Sequence, residues 1–503
     1  MSYLPRLRLS ANQSRIAYDL LAAAAAAAFS ALFALRFLGL APWVLALAPA
    51  LLVAANRAVG IYTRLRVATG GPKVALLSVA VALSAAALIA LEPRSLPAGL
   101  LWAALVWPLL VLPRWFLNLN TRANTFATSA VQENGPVLVV GGAGYIGTHV
   151  VEQLLKADYR VRVLDKLLYG SEPMKDFAGD PRVELIEGDC TDIVKLVQAV
   201  DGVSAVVHLA GLVGDPACAV DDSFTRHANV IATKMVKEIA ISLGIQRFIF
   251  ASSCSVYGAT DQEVDETSVL NPVSLYARTK IDSENELMTL GGRGERFSPT
   301  ILRFATVFGH SRRPRFDLVG NLFTAQAMID GKITVMGENQ WRPFIHVRDL
   351  ARAVVAVLKA DPEITRDQTF NVGDRRLNMT IGALAEEVKR IVSRERPVEI
   401  VIRPDVNDRR NYMVNFDKIR RVLKFEATTL LEAGIQDIVE EFKKGTYGHY
   451  KEATYSNLEM TKRALSLFQD PQQSARLYGP LHETQPAPRS QAGGLAAQPA
   501  VAK

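Results

Sequence analysis

Three glycines set between a short β-branched run and an amphipathic one constrain this chain more than any other feature. In VLVVGGAGYIGTHVVEQLL, residues 137–155, Gly141, Gly144 and Gly147 follow four apolar residues and open a helical pattern. Glycine lets a backbone turn sharply and lets a ligand approach without a side chain in the way. At the start of a helix such a turn offers free N–H groups and a favourable dipole to a pyrophosphate. A second run, VRVLD, ends in Asp165, 18 residues after Gly147. A carboxylate there is placed to accept the adenosine ribose hydroxyls of a dinucleotide. Asp165 favours NAD over NADP, because it would repel a 2′-phosphate; Lys166 beside it weakens that preference. The bland alternative is a glycine-capped helix turn with no ligand.

The same rhythm continues down the chain. VELIEGD, AVVHLAG, RFIFASS and TILRFATVFG alternate with longer amphipathic stretches, which predicts a Rossmann-type, doubly wound parallel sheet covered by helices. The three cysteines, Cys190, Cys218 and Cys254, lie far apart and form no CxxC. That spacing suits a reducing compartment and argues against a structural zinc site, so no metal is expected.

The first 124 residues are different. Four apolar runs, Ile16–Leu35, Phe37–Ala55, Val74–Leu91 and Leu96–Leu112, each have about the length of a bilayer-spanning helix. Of the 57 Lys and Arg residues eleven fall here, against two of the 50 acids, Asp19 and Glu92; the rest of the chain carries 46 bases and 48 acids. The basic excess therefore does not sit on the enzyme-like part, and nucleic-acid binding is excluded as a reading. Arg6, Arg8 and Arg15 precede the first run, Arg57, Arg64, Arg66 and Lys73 lie between the second and third, and Arg114 and Arg122 follow the fourth. With four spans this puts both termini on the cytoplasmic side of an inner membrane. The expected organisation is a membrane region at 1–124, a linker at 125–136, the catalytic domain at 137–445 with its smaller C-terminal substrate-binding subdomain, and an extension at 446–503, rich in Gln, Pro and Ala and disordered after about 470.

Tyr276 and Lys280 stand four apart in SLYARTK and would share a helix face. An ammonium beside a phenol favours the phenolate, which makes the tyrosine a candidate base. About twenty residues earlier, SSCSVYG puts Ser253 at the end of a strand that should be buried.

Taken together, GGAGYIG, GDCTD, HLAG, SSCSVYG, YARTK, LRFATVFG and WRPFIHVRD resemble the extended short-chain dehydrogenase/reductase family, the NAD-dependent epimerases and dehydratases of nucleotide sugars. The resemblance covers residues 137 to 445. It implies Tyr276 as the base, Lys280 as the residue that tunes it and binds the nicotinamide ribose, and Ser253 as the partner of the reacting sugar hydroxyl. For NAD it implies Gly141, Gly144, Tyr145, Ile146, Gly147, Asp165, Asp189, Cys190, Leu209, Ala210 and Gly211, together with Tyr276 and Lys280. For the diphosphate of the sugar nucleotide it implies Asn321, Arg342 and Arg410, with Arg409 adjacent. Thr306 stands where the epimerases commonly carry a substrate-contacting Asn, and Val213 where some carry a lysine. A dimer is expected by family analogy.

The residues after Ser253 are Cys254 and Ser255, not the Asp–Glu pair of the family's 4,6-dehydratases. What remains, Tyr, Ser and NAD, is the set for 4-epimerisation through a transient 4-keto sugar. A dehydratase, or a 3,5-epimerase that also reduces a keto-sugar and would use a cysteine near Cys254, is the alternative within the fold. An NAD-binding membrane scaffold is a distant one. The N-terminal runs resemble the membrane region of bacterial polysaccharide-biosynthesis nucleotide-sugar dehydratases, which implies a catalytic domain held beside membrane glycosyltransferases.

Overall fold

The computed structural model describes residues 47–58, 78–86, 102–109, 135–289, 297–404 and 408–469, with single positions at 24 and 100. The chain divides into two compact units, Met1–Ala130 and Val131–Lys503. In the first, a helix spans Ala48–Ala58, and the third and fourth apolar runs touch where Trp107 Nε1 donates to Ser78 Oγ at 2.8 Å. No described helix is long and apolar enough to cross a membrane. Most of the four runs, and the tail after residue 469, lie outside the described residues.

The second unit is built on seven parallel strands: β1 (Val137–Val140), β2 (Val161–Asp165), β3 (Val183–Glu187), β4 (Ala205–His208), β5 (Arg247–Ser253), β6 (Ser298–Phe304) and β7 (Gln368–Val372). Their order is β7-β6-β5-β4-β1-β2-β3. Val137 pairs with Val161 of β2 on one side and Ala205 of β4 on the other. Chain connections leave β1 and β4 in opposite directions, which opens a crevice at their carboxyl ends, where doubly wound sheets bind ligands. The first six strands are the β-branched runs of the sequence. The seventh, QTFNV, adds an edge to the sheet beside β6.

Alternate residues of β1 serve two cores, as the period of a strand requires. Val137 and Val139 face one, with Val150, Leu154, Val163 and Val354. Leu138 and Val140 face the other, with Leu196, Val236, Phe248 and Phe250. The smaller subdomain has its own core of Phe323, Phe344, Leu384 and Val388. It carries a three-stranded sheet of Thr306–Phe308, Trp341–His346 and Asn378–Thr380.

Several histidines are buried as neutral groups. Burial pulls His149 down to about 4 and both His208 and His346 to about 3. Each folded value lies below the unfolded one, so the unfolded chain takes up protons first as pH falls. Their contribution is complete above about pH 6.5 and is lost as pH drops towards the folded values. Against opposing burial, Lys156 and Arg312 hold Glu152 down to about 2, and Arg410 and Arg342 hold Asp408 down to about 2. Those carboxylates give way only below about pH 4.5, below the range in which the histidines act. The urea midpoint of the full chain is expected to fall between pH 7.5 and pH 5; a flat midpoint would contradict this.

Candidate active site

The glycine turn joins β1 to helix α1 (Gly147–Lys156). Gly141 has φ +86°, a conformation that side chains rarely adopt, and a Cβ there would stand 2.8 Å from the Ala210 backbone nitrogen. A Cβ on Gly147 would stand 2.2 Å from the Gly141 carbonyl oxygen. These two glycines are required by the fold itself. Gly144 is different: its Cβ would meet only the Gly141 oxygen, at 3.3 Å, and the residue lines a long cleft.

Every residue expected on the cofactor lines that cleft, from Asp165, Asp189 and Cys190 at one end, past the glycine turn and Leu209–Gly211, to Tyr276 and Lys280 at the other. Asp165 accepts from Ala143 N at 2.9 Å and Leu167 N at 2.8 Å, so it also braces the glycine turn. Lys166, the residue that weakened the preference for NAD, pairs with Asp189 at 3.1 Å. Burial pushes the Cys190 thiol up to about 12, which keeps it an uncharged wall. Tyr145 turns its phenol away and donates to Gly309 O at 2.7 Å, tying the turn to the smaller subdomain. A cradle of glycines with one open Cβ direction, and a carboxylate at the end of β2, fit NAD.

At the other end, β5 runs into a 3₁₀ turn at Cys254–Tyr257, capped by Ser253 Oγ, which accepts from Ser255 N at 3.1 Å. Helix α2 (Leu275–Met288) brings up Tyr276, whose hydroxyl faces Ser253. Lys280 donates to Ala251 O at 2.7 Å and sits 5.8 Å from the centre of the Tyr276 ring. Burial, reinforced by Cys218 and Asp215, pushes the Tyr276 phenol above its ordinary value, and burial pulls Lys280 down to about 8. This differs from the expectation that lysine alone would draw the phenol down: desolvation of both groups outweighs their attraction.

Cys254 points out of the site. It is buried, donates to Arg303 O at 3.2 Å, and its thiol is pushed up by burial. Cys254→Ala should therefore leave kcat/KM within about threefold of wild type, because it touches neither the cleft nor Tyr276. A loss beyond tenfold would favour the 3,5-epimerase–reductase reading.

The substrate-side residues divide. Arg342 and Arg410 come together on Asp408, with Arg342 Nη2 at 3.0 Å and Arg410 Nη2 at 2.5 Å from its Oδ2. Arg409 is exposed, so Arg410 is the inward member of that pair. Arg410 also reaches Asp215 Oδ2 at 3.1 Å, which links the smaller subdomain to the loop after β4. Asn321, expected on the diphosphate, has its amide engaged within the protein. Its oxygen accepts from Gly309 N at 2.9 Å, and its nitrogen donates to Arg315 O at 2.9 Å and Tyr145 OH at 3.2 Å. The buried amide is consumed in holding the 309–315 loop. Thr306 is half-buried on a short strand, opposite Phe344, outside the residues lining the cofactor cleft.

Sequence reasoning missed a buried network behind the catalytic wall. Glu284 bonds Arg303 Nη2 at 2.7 Å and accepts from Ser252 Oγ. Arg303 also donates to Tyr257 OH at 3.0 Å, which donates to Asn371 Oδ1 at 2.8 Å. Glu284 follows Tyr276 and Lys280 at the same four-residue interval, so its helix face was legible; its partner on β6 was not. Asn229, in a π-helical turn at His227–Ile231, clamps Leu212 through N–H at 2.7 Å and C=O at 3.0 Å and so shapes the loop after β4.

The comparisons agree with this geometry. The family model described as NAD dependent epimerase/dehydratase family matches residues 137–373. Mouse dTDP-D-glucose 4,6-dehydratase is 30% identical over 346 residues, 63% of this chain and 93% of that protein. The UDP-glucose 4-epimerase of Lactobacillus helveticus is 28% identical over 47% of this chain and 76% of that protein. Among solved structures, MoeE5 in complex with UDP-glucuronic acid and NAD is 27% identical with a TM-score of 0.54, over 62% of this chain and all of that one. UDP-glucuronic acid 4-epimerase from Bacillus cereus, in complex with UDP-glucuronic acid and NAD, is 25% identical with a TM-score of 0.56 over the same shares. The chain belongs to the NAD-dependent epimerase/dehydratase family, and its cofactor is NAD.

Proposed function

We propose that the protein is a membrane-anchored nucleotide-sugar 4-epimerase that supplies a bacterial polysaccharide pathway. The observation that carries the 4-epimerase reading is the chemistry beside Ser253. Cys254 is turned into the core and Ser255 is buried, so neither offers the acid–base pair that elimination of water needs. The acids lining the cleft, Asp165 and Asp189, belong to its far end; Asp215 is held by Arg410 and Glu284 by Arg303.

NAD supplies, when bound, the hydride acceptor and a positive charge at the nicotinamide end of the cleft. Tyr276 takes the O4 proton of the sugar as hydride leaves C4, and returns that proton when hydride comes back to the opposite face of the 4-keto sugar. Ser253 holds the same hydroxyl through a hydrogen bond. Lys280, anchored on Ala251 O, holds its ammonium beside the ribose and the phenol. Arg342 and Arg410 present guanidinium groups suited to a diphosphate. No net redox change results.

Anchoring rests on the four apolar runs and the distribution of Lys and Arg. It is supported by large apolar side chains left open on the helix at 78–86, Val79 at 47% and Leu83 at 51% exposure. A polysaccharide role and neighbouring glycosyltransferases follow the N-terminal resemblance, a homodimer the family. The 4,6-dehydratase reading stays second, favoured by the mouse relative. Incubation of the full chain in detergent with UDP-, GDP-, dTDP- and CDP-sugars, read by product NMR, tests the proposal. A C4 epimer is expected from one of them; a 6-deoxy-4-keto product moves the assignment to the dehydratase.

A further inference from the structure

Residues 446–469 are a packed part of the enzyme. Tyr447 and Tyr455 stack edge-on around Phe316, at 5.1 and 5.2 Å, and Tyr450 OH donates to Asp330 at 2.5 Å. A 3₁₀ turn at Ala453–Tyr455 then leads into helix α3 (Asn457–Gln469), and both Asn457 and Ala464 line the cofactor cleft.

Asn457 is buried, with 7% of its surface exposed, and its polar atoms are all engaged. Nδ2 donates to Val213 O at 3.0 Å. Oδ1 accepts from Tyr169 OH at 3.1 Å and from Arg313 Nη2 at 2.8 Å. The backbone N–H donates to Asp317 Oδ2 at 3.1 Å. One residue thus joins the loop after β2, the loop after β4 and the 313–317 segment of the smaller subdomain. Arg313 lies over the Tyr169 ring at 3.6 Å, and its buried Nε has no partner. Among the described residues no carboxylate forms an ion pair with this guanidinium. It is held in the cleft by a neutral amide and an aromatic face, which leaves its charge for a ligand.

We propose that Asn457 is a positioning residue of the cofactor site, and that the helix it opens is a strap that retains NAD through turnover. The acceptor side of its carboxamide sets Arg313 and Tyr169 against the cleft, and the donor side sets the Val213 loop. An enzyme that removes a hydride and returns it to the same sugar must not lose its reduced cofactor in between, and a wall pinned to both halves of the cleft meets that need. The inference rests on NAD dependence; retention is read on the cofactor alone, so it stands or falls independently of which sugar reacts.

The test uses the full chain loaded with radiolabelled NAD and chased with unlabelled NAD. Asn457→Ala is expected to release label at least tenfold faster than wild type, the scale of a lost hydrogen bond to a charged group. Asn457→Asp keeps an acceptor for Arg313 and Tyr169 but neutralises the guanidinium and sets a carboxylate oxygen against the Val213 carbonyl, so it is also expected to release label faster than wild type. A merely structural asparagine would show in the thermal melt of the protein and not in the release rate. Equal release from wild type and Asn457→Ala, or an Asn457→Asp that retains label as wild type does, would overturn the proposal. Should Asn457→Ala fail to fold, Tyr169→Phe removes one hydroxyl and keeps the ring under Arg313; faster release is expected, and an unchanged rate overturns the proposal equally.

Discussion

Tyr276→Phe is expected to bind NAD as wild type does and to lose turnover by about 10²–10⁴-fold, the usual worth of a positioned acid–base group. The ring is buried on α2 and its packing survives the change. Only the hydroxyl that faces Ser253 is removed. Lys280 keeps its bond to Ala251 O, so the ribose end of the cofactor site is left in place. Activity with the nucleotide sugar and NAD affinity by calorimetry, measured on the same preparation, separate the two effects. A variant that loses NAD in step with turnover would show that the tyrosine holds the cofactor rather than moves a proton.

Gly144→Val is expected to abolish NAD binding while the protein still folds. The glycine turn makes that separation possible. A side chain at Gly144 meets only one carbonyl oxygen, at 3.3 Å, whereas one at Gly147 runs into backbone at 2.2 Å. Valine at Gly144 therefore fills the cleft where the N-terminus of α1 would meet a pyrophosphate, and leaves the strand–helix packing intact. Gly147→Val should instead lower the melting temperature. Calorimetric titration with NAD and a thermal melt distinguish the two; a Gly144→Val protein that binds NAD normally would contradict the placement of the pyrophosphate.

What could be read in the chain, and what could not, follows from the range of the interactions. The six runs became β1 to β6 because a continuous apolar stretch marks a buried parallel strand such as β1, β4 or β6, and the alternating VELIE a half-exposed edge, and those signals are local. The glycine turn, Asp165 at the end of β2 and the Tyr276–Lys280 face were legible for the same reason: each is set by spacing within one βαβ unit or one helix. The misses are all long-range. Nothing near Asn321 in the chain indicates that Tyr145, 176 positions earlier, accepts from its amide. The pairing of Arg410 with Asp215 and of Arg303 with Glu284 depends on how separate elements pack. The region after 445 read as an extension because its amphipathic helix has no motif; its role appears only when Asn457 meets Tyr169, 288 positions away. The shift of Tyr276 away from neutrality was invisible too, since desolvation depends on the whole surrounding fold.

The proposed epimerisation turns on a hydride that leaves C4 and returns to it. The most direct test is product NMR of the reaction of the full chain with the responsive nucleotide sugar carrying deuterium at C4, with absorbance at 340 nm followed alongside. The expected result is the C4 epimer with its deuterium retained at C4 and no accumulation of reduced cofactor. A 6-deoxy-4-keto sugar, or reduced cofactor released in proportion to product, would contradict it.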